Sequence, residues 1–426
     1  MADNYNVSTK CIHSGQRPGG SGERAVPISQ TTSYLFDDPN HAAGLFGLER
    51  EGFIYSRIGN PTVDVLEKRM ADLDGGIGGL AFSSGMAAIS AVVLNIAGAG
   101  DHVVVSSALY GGTVTLFAHT LRRLGIETTF VEPTDTEAFG RAIRDRTRLV
   151  FVESVGNPSN DVPDFQRLAE IAHKAGVPLV CDNTVMTPIL FRPFEHGVDL
   201  AVYSCTKFIG GHGTSIGGMI VDSGRFDWGN GKFPELTEPD ESYHGLRYLE
   251  RFGAAAYLAK ARCQILRDYG ACLSPFNAWL FLQGLETLHL RMPQHSRNAE
   301  AVAKWLADDR RVAWVNSGSL GGHPSHERSK RYFGGWSALF GFGVEGGYNA
   351  AVRFIESVRL CSHLANIGDS KTLVIHPAST THQQLSADER RAAGVSDDFV
   401  RISVGTEDVD DIIADLDQAL TAAAKG

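Results

Sequence analysis

Between residues 80 and 222, short apolar runs recur with helical periodicity between several of them, and this alternation restricts the chain more than any other feature. The runs are 102–106 (HVVVS), 127–131 (ETTFV), 148–153 (RLVFVE), 178–182 (PLVCD), 199–203 (DLAVY) and 217–221 (GGMIV). Their apolar residues are consecutive rather than alternate, so each strand is expected to be covered on both faces. Separated by stretches such as 164–176 (DFQRLAEIAHKAG), they predict a mainly parallel α/β sheet. After a Gly/Pro-rich polar stretch near 224–245 the chain reads as helical to about 309. Runs at 312–316, 337–344, 371–376 and 399–404 then alternate with helices and end in the amphipathic segment 409–424. That pattern predicts a second, smaller α/β domain.

Upstream, Asn60-Pro61 predicts a capped helix start, Val63, Leu66, Met70 and Leu73 share one face, and Gly75-Gly76 stops it. Residues 1–60 are polar, turn-rich and poorly periodic, and read as an arm lying over another surface. The expected division is an arm at 1–60, a large domain at 61–270 and a small domain at 271–426.

Composition excludes several classes. Apolar residues are 43% and charged residues 21%, enough for a large core and against wholesale disorder. Acids outnumber Lys and Arg, 49 to 39, for a net charge of −10, which disfavours general nucleic-acid or anionic-membrane binding. No window holds the roughly 18 apolar residues of a membrane span, and MADNYNVSTKCIHSGQ lacks a secretory core, so a cytoplasmic protein is expected. The six cysteines are scattered without a CxxC pair, which predicts reduced thiols and no metal site.

The chemistry-bearing residues stand at strand ends. Lys207, in Ser204-Cys205-Thr206-Lys207, follows one run and precedes the glycine-rich GGHGTSIGG. A desolvated lysine has a lowered pKa and can form an imine, and neighbouring hydroxyls can bind phosphate. A lysine there is otherwise a solvated surface residue. Asp182 ends PLVCD, where ligands of parallel sheets collect, although alone it reads as a helix cap. Together the two residues meet the needs of a pyridoxal phosphate ring, one forming the imine and one keeping the ring nitrogen protonated. Ser83-Ser84-Gly85-Met86 opens a small-residue helix whose first N–H groups would bind a phosphate. Tyr110, in ALYGG, would lay its ring against a flat cofactor, or else serve as a core tyrosine. Competing motifs fail on context. Gly76-Ile77-Gly78-Gly79-Leu80-Ala81 follows a helix instead of a strand, and Ala81-x-Ser83-x-Gly85 lacks the first glycine of a nucleophile elbow.

RAVPISQTTSY, YSRIGNPT, SSGMAA, LYGGT, DNT, SCTKFIGGHGTSIGG, SPFNAWLFLQGLETL, LVIHPASTTHQQL and RISVGTED stand in order along the chain. On these stretches it resembles the pyridoxal-phosphate enzymes of cysteine and methionine metabolism over essentially its whole length. Within them it looks most like the O-acetylhomoserine sulfhydrylase branch, on GGHGTSIGG, the 224–245 insertion and LANIGD. The resemblance implies a type I aminotransferase-like fold and a homotetramer of active dimers. It also implies γ-substitution on O-acetylhomoserine by sulfide or a thiol. By the same resemblance, Lys207 would carry the cofactor, Asp182 would pair with the ring nitrogen and Tyr110 would stack on the ring. Gly85, Met86, Ser204 and Thr206 would hold the phosphate, with Tyr55 and Arg57 reaching it from a neighbouring subunit. Asn157 would lie near the cofactor oxygen, and Arg401, with Asn366 and Tyr55, would bind substrate.

Val185, Met186, Ile189, Val114 and His363 depart from the family pattern and bear on which nucleophile is used. Gly112 stands where methionine γ-lyases carry a reactive cysteine, which counts against that activity. The alternatives are a cystathionine γ-lyase or synthase-like enzyme, a γ-substituting enzyme with a non-sulfide nucleophile, and a non-catalytic paralogue. Lys207, Asp182, Tyr110 and Arg401 occur together, which argues against the last.

Overall fold

The computed structural model describes residues 5–19, 21–381, 383 and 394–425. Its first sheet has seven strands: β1 (Gly78–Phe82), β2 (His102–Ser106), β3 (Glu127–Val131), β4 (Thr147–Glu153), β5 (Leu179–Asp182), β6 (Leu200–Ser204) and β7 (Gly218–Asp222). They lie in the order β1-β7-β6-β5-β4-β2-β3. All neighbours are parallel except at β7, which runs antiparallel to both β1 and β6. The consecutive apolar residues of the runs are divided between the two faces. Val104, Val150, Cys181 and Val221 enter one core, and Val103, Val105, Phe151, Val180 and Ile220 enter another on the opposite side. Helices on both faces account for the apolar reading of these strands except β3. At the sheet edge, β3 has Glu127 exposed and Thr128 to Phe130 only part-buried, so the expected two-sided cover fails there.

The second sheet comprises β8 (Val312–Asn316), β9 (Leu339–Val344), β10 (Ser362–His363), β11 (Leu373–Ile375) and β12 (Phe399–Ser403), in the order β10-β11-β12-β9-β8. Its Phe342, Val400 and Ile402 belong to the same core as Val104 and Cys181, so the two sheets share one apolar interior.

Among the described residues, four helices precede β2 in the chain: α1 (Val7–His13), α2 (Pro39–Phe46), α3 (Pro61–Asp74) and α4 (Gly85–Leu94). In α3, Asn60 accepts from Thr62 N, Pro61 sits at the first position, and Gly75 closes the end at φ 74°. The arm reading did not anticipate α1 and α2. Cys11 of α1 is fully buried, Lys10 pairs with Asp72 at 2.8 Å, and Arg69 donates to Ser14 O at 2.9 Å. Contacts with α3, rather than its own short pattern, hold α1 in place. His382, Gln384 and Leu385 of the LVIHPASTTHQQL motif lie outside the described residues.

Candidate active site

Five strands of the first sheet (β1, β2, β4, β5 and β6) deliver their carboxyl ends to one rim. From that rim rise the start of α4 after β1, Tyr110 after β2, Glu153 at the end of β4, Asp182 at the end of β5 and Lys207 after β6. Ligands of open α/β sheets bind at this side.

The rim is built by close backbone approach. Ser84 caps α4 by accepting from Ala87 N at 3.1 Å. A Cβ on Gly85 would fall 2.7 Å from Ser204 Cβ, and one on Gly218 would fall 2.1 Å from Ser84 O. Glycine at both positions lets the helix start lie directly on the ends of β6 and β7. The free N–H groups of that helix start and the Ser204 hydroxyl thus share one small space suited to a phosphate. Thr206 Oγ1 accepts from Gly217 N at 3.1 Å and donates to Gly217 O at 3.3 Å, so here its hydroxyl braces the loop. Met86 Sδ receives the Thr113 hydroxyl at 3.8 Å.

Two carboxyls stand side by side in the centre. Glu153 and Asp182 are register partners across β4 and β5. Asp182 accepts from Thr184 N at 3.0 Å, and Glu153 Oε1 accepts from Tyr110 N at 2.6 Å. Burial pushes Asp182 up to about 6; burial and then the neighbouring Asp182 push Glu153 well above the usual carboxylate range. Among the described residues neither forms an ion pair with a cation. A buried pair of this kind favours a positively charged partner, and a protonated ring nitrogen is one.

Lys207 Nζ donates to Asn366 Oδ1 at 2.5 Å, and Arg401 Nη2, from β12, donates to Asn366 O at 3.3 Å. Asn366 therefore joins the lysine of the first sheet to the arginine of the second. Burial, then the Arg401 charge, draws the Lys207 ammonium down to about 8. Burial also lowers Arg401. A nucleophilic amine, a carboxyl pair and a donor-lined helix start in one place fit a pyridoxal phosphate, the group the sequence suggested.

The structure brings Lys207, Asp182, Tyr110, Gly85, Met86, Ser204, Thr206, Asn366 and Arg401 to this rim. Asn157 lies in the loop after β4. Tyr55 and Arg57 sit elsewhere on the chain: the Arg57 guanidinium lies 5.4 Å from the Tyr55 ring and donates to Arg267 O. Glu153 and Thr184 were not singled out from the sequence. Glu153 carried the same signal as Asp182, an acid ending an apolar run, but only the adjacency of β4 and β5 makes the two a pair. Thr184 also supports β6, its hydroxyl accepting from Ser204 N at 2.8 Å.

Comparison with known proteins agrees with this geometry. Residues 8–421 match the family described as Cys/Met metabolism PLP-dependent enzyme. O-acetyl-L-homoserine sulfhydrylase of Leptospira meyeri is 50% identical over 99% of this chain and 98% of its own. Homocysteine synthase of Schizosaccharomyces pombe is 49% identical over 99% of each. A crystal structure of a putative O-acetylhomoserine (thiol)-lyase from Campylobacter jejuni superposes with a TM-score of 0.95 at 40% identity. It covers 98% of this chain and 100% of that one, and contains N'-pyridoxyl-lysine-5'-monophosphate. On the rim geometry and these full-length matches, the chain belongs to the pyridoxal-phosphate-dependent enzymes of cysteine and methionine metabolism.

Proposed function

We propose that the protein catalyses γ-substitution on O-acetyl-L-homoserine with acetate leaving, sulfide entering to give L-homocysteine or a thiol entering to give the corresponding S-substituted thioether. The observation that carries this reading is that one sheet rim gathers the Glu153–Asp182 carboxyls, which lack a cation among the described residues, and the buried Lys207 amine. Its support in substrate comes from relatives named for that reaction at 50% and 49% identity over nearly the whole chain.

Bound pyridoxal phosphate supplies an electron sink for charge developing on the substrate carbon chain. Lys207, partly neutral near physiological pH because it is buried, holds the cofactor and moves the Cα and Cβ protons. Asp182 would pair with the ring nitrogen and keep it protonated. The start of α4, with Gly85, Met86, Ser204 and Thr206, would hold the phosphate, and Asn157 would bind the cofactor oxygen. Tyr110, whose ring is half exposed at the mouth, covers the cofactor and serves as acid or base at the substrate. Arg401, aided by Asn366, clamps the α-carboxylate. In this scheme residues 61–270 form the cofactor domain and 271–426 the small domain.

The same reading makes the protein a cytoplasmic homotetramer of active dimers, in which residues 1–60 reach a neighbouring subunit and bring Tyr55 and Arg57 to its phosphate. Leu35 is 98% exposed and Phe46 60% exposed on the single chain, as expected of a segment that lies on another surface. Among the described residues no helix is long and apolar enough to cross a membrane. The distinguishing assay supplies O-acetyl- and O-succinyl-homoserine with and without sulfide. Homocysteine formed only with sulfide, and a higher kcat/KM for the acetyl ester, is expected. Equal use of the succinyl ester, or keto-acid release without a nucleophile, overturns the assignment.

A further inference from the structure

The turn that carries Lys207 rests on an unusual support. Helix Leu288–Ala307 brings the Arg291 side chain beneath it, 8% exposed. Nη1 donates to Phe208 O at 2.7 Å, and Nη2 donates to Ile209 O at 3.2 Å and to Gly284 O at 2.8 Å. Nε donates to the Thr287 hydroxyl at 3.2 Å. Among the described residues no carboxylate pairs with this guanidinium; its donors go to neutral oxygens, three of them backbone carbonyls. Burial draws its pKa down to about 10, which leaves it charged at neutral pH.

The surroundings are shaped to this side chain. Gly211, at φ 70°, has no room for a Cβ, which would fall 2.2 Å from Arg291 Nη1. A Cβ on Gly284 would lie 2.4 Å from Ile209 O, so that glycine lets the turn settle on the helix Pro275–Glu286. One helical turn beyond Arg291, His295 is fully buried, and its Nδ1 donates to Val404 O at 2.7 Å. Its ring meets the Phe208 ring edge-on, with centroids 5.2 Å apart. Residues four apart on one helix thus hold the backbone just after Lys207 and the backbone just after β12, the strand of Arg401.

We propose that Arg291 is a positioning residue for Lys207: its planar fork fixes the 207–211 turn, and with His295 it sets the distance between the amine and the Arg401 clamp. Lysine could keep the charge but not the several simultaneous donor directions. The inference rests on Lys207 as the cofactor lysine, which Lys207→Ala tests separately. If that variant still traps the cofactor covalently on borohydride treatment, the parent reading fails before Arg291 is examined.

The experiment compares the holoenzyme forms of wild type, Arg291→Met, Arg291→Lys and Val302→Ala. Val302 is a fully buried core residue of the same helix, three turns beyond Arg291, so its variant reports simple destabilisation. The readouts are the cofactor Kd, the pH titration of the bound cofactor's visible absorption, kcat and KM, and Tm. Arg291→Met is expected to weaken cofactor binding by about ten-fold and to shift the absorption titration, with Arg291→Lys between it and wild type. Val302→Ala should lower Tm with both readouts unmoved. The proposal is overturned if Arg291→Met matches Val302→Ala in both readouts. If Arg291→Met does not fold, Arg291→Lys decides, and wild-type behaviour in it overturns the proposal. Failure of both to fold also overturns it, since a positioning role requires a folded chain without the fork.

Discussion

The two rims of the first sheet both carry buried acids. At the amino rim Asp101 and Asp199 each have a cationic neighbour while the fully buried Asp222 has none; at the carboxyl rim neither Glu153 nor Asp182 has one among the described residues. At the amino rim, Asp101 lies 3.0 Å from Arg148 Nε and accepts from Gly98 N at 2.9 Å. Asp199 there stands 2.8 Å from His173 Nε2 and accepts from Leu179 N at 2.8 Å. At the carboxyl rim, Glu153, Asp182, Lys207 and Arg401 form no ion pair among the described residues, although opposite charges are available within one site. A cavity of about 340 Å³ opens at the amino rim beside His173, Asp199 and Arg225, yet its buried acid, Asp199, is already paired with His173. A closed buried pair is costly to break, whereas charges held apart in a buried place await partners from outside the fold. A single buried acid without a cation, as at Asp222, marks no site; the functional rim is marked by several unpaired charges of both signs gathered together, more than by the size of an opening.

The largest test of this contrast exchanges one acid at each rim. Asp182→Asn should lower turnover by about 1,000-fold, because a neutral amide cannot keep the ring nitrogen protonated. Its folded-state pKa is raised, so the folded chain holds more protons than the unfolded one between the usual carboxylate value and about 6. Stability therefore falls as pH rises through that window, and above it the cost of the buried charge is fully present. Stripped of cofactor at pH 8, Asp182→Asn should melt no lower than wild type. Asp199 is raised by burial too, but it is hydrogen-bonded by His173 and Leu179 N. Asp199→Asn should instead lose about 1–3 kcal/mol of stability through those contacts while turnover per folded molecule stays intact. Paired thermal melts and kinetics check both. A destabilised Asp182→Asn, or an inactive but stable Asp199→Asn, would break the comparison.

A second test uses the lysine. Burial lowers its pKa from 10.5 to about 8, so in the cofactor-free protein the unfolded chain binds more protons across that interval. Stability should rise as pH climbs from 8 towards 10.5, and below 8 the full cost, up to ~3 kcal/mol, is present. Lys207→Met abolishes that cost. Urea denaturation of the two cofactor-free proteins should show the variant ahead at pH 7 and the gap narrowing by pH 10. A gap independent of pH would mean that Lys207 is not held as an unpaired cation.

Much of this was legible in the sequence for a physical reason. Strands covered on both faces must be apolar at consecutive positions, and the six runs match β2 to β7 within about a residue at each end. Lys207 and Asp182 stood out because a polar residue ending such a run is carried to the rim. What stayed hidden depends on neighbours distant in the chain. Glu153 needed the strand order, α1 needed the surface of α3, and the two-residue β10 has no pattern of its own. The short range of Arg291 to Phe208 and Ile209 crosses more than eighty residues of sequence. Arg401 and Asn366 were identified only through the family resemblance, because on sequence alone each is an ordinary polar residue.

The smallest expected effect concerns Arg401, the cation that the carboxyl rim leaves open to an anion. It is largely buried on β12, and its one hydrogen bond to protein among the described residues goes to a backbone carbonyl, Asn366 O. A substrate carboxylate would complete it through two parallel N–H donors, fixing the Cα–H bond in line for removal. Lysine preserves the charge and loses the fork. Arg401→Lys should therefore raise KM for O-acetylhomoserine by about ten-fold, the equivalent of ~1.4 kcal/mol, with a smaller change in kcat. Cofactor absorption should stay unchanged, because the loss falls on the substrate alone. Steady-state kinetics with a spectrum of the resting enzyme decide the matter. An unchanged KM removes Arg401 from the clamp, and an altered resting spectrum assigns it to the cofactor, so that only the carboxyl pair would remain as a charge held open for a partner.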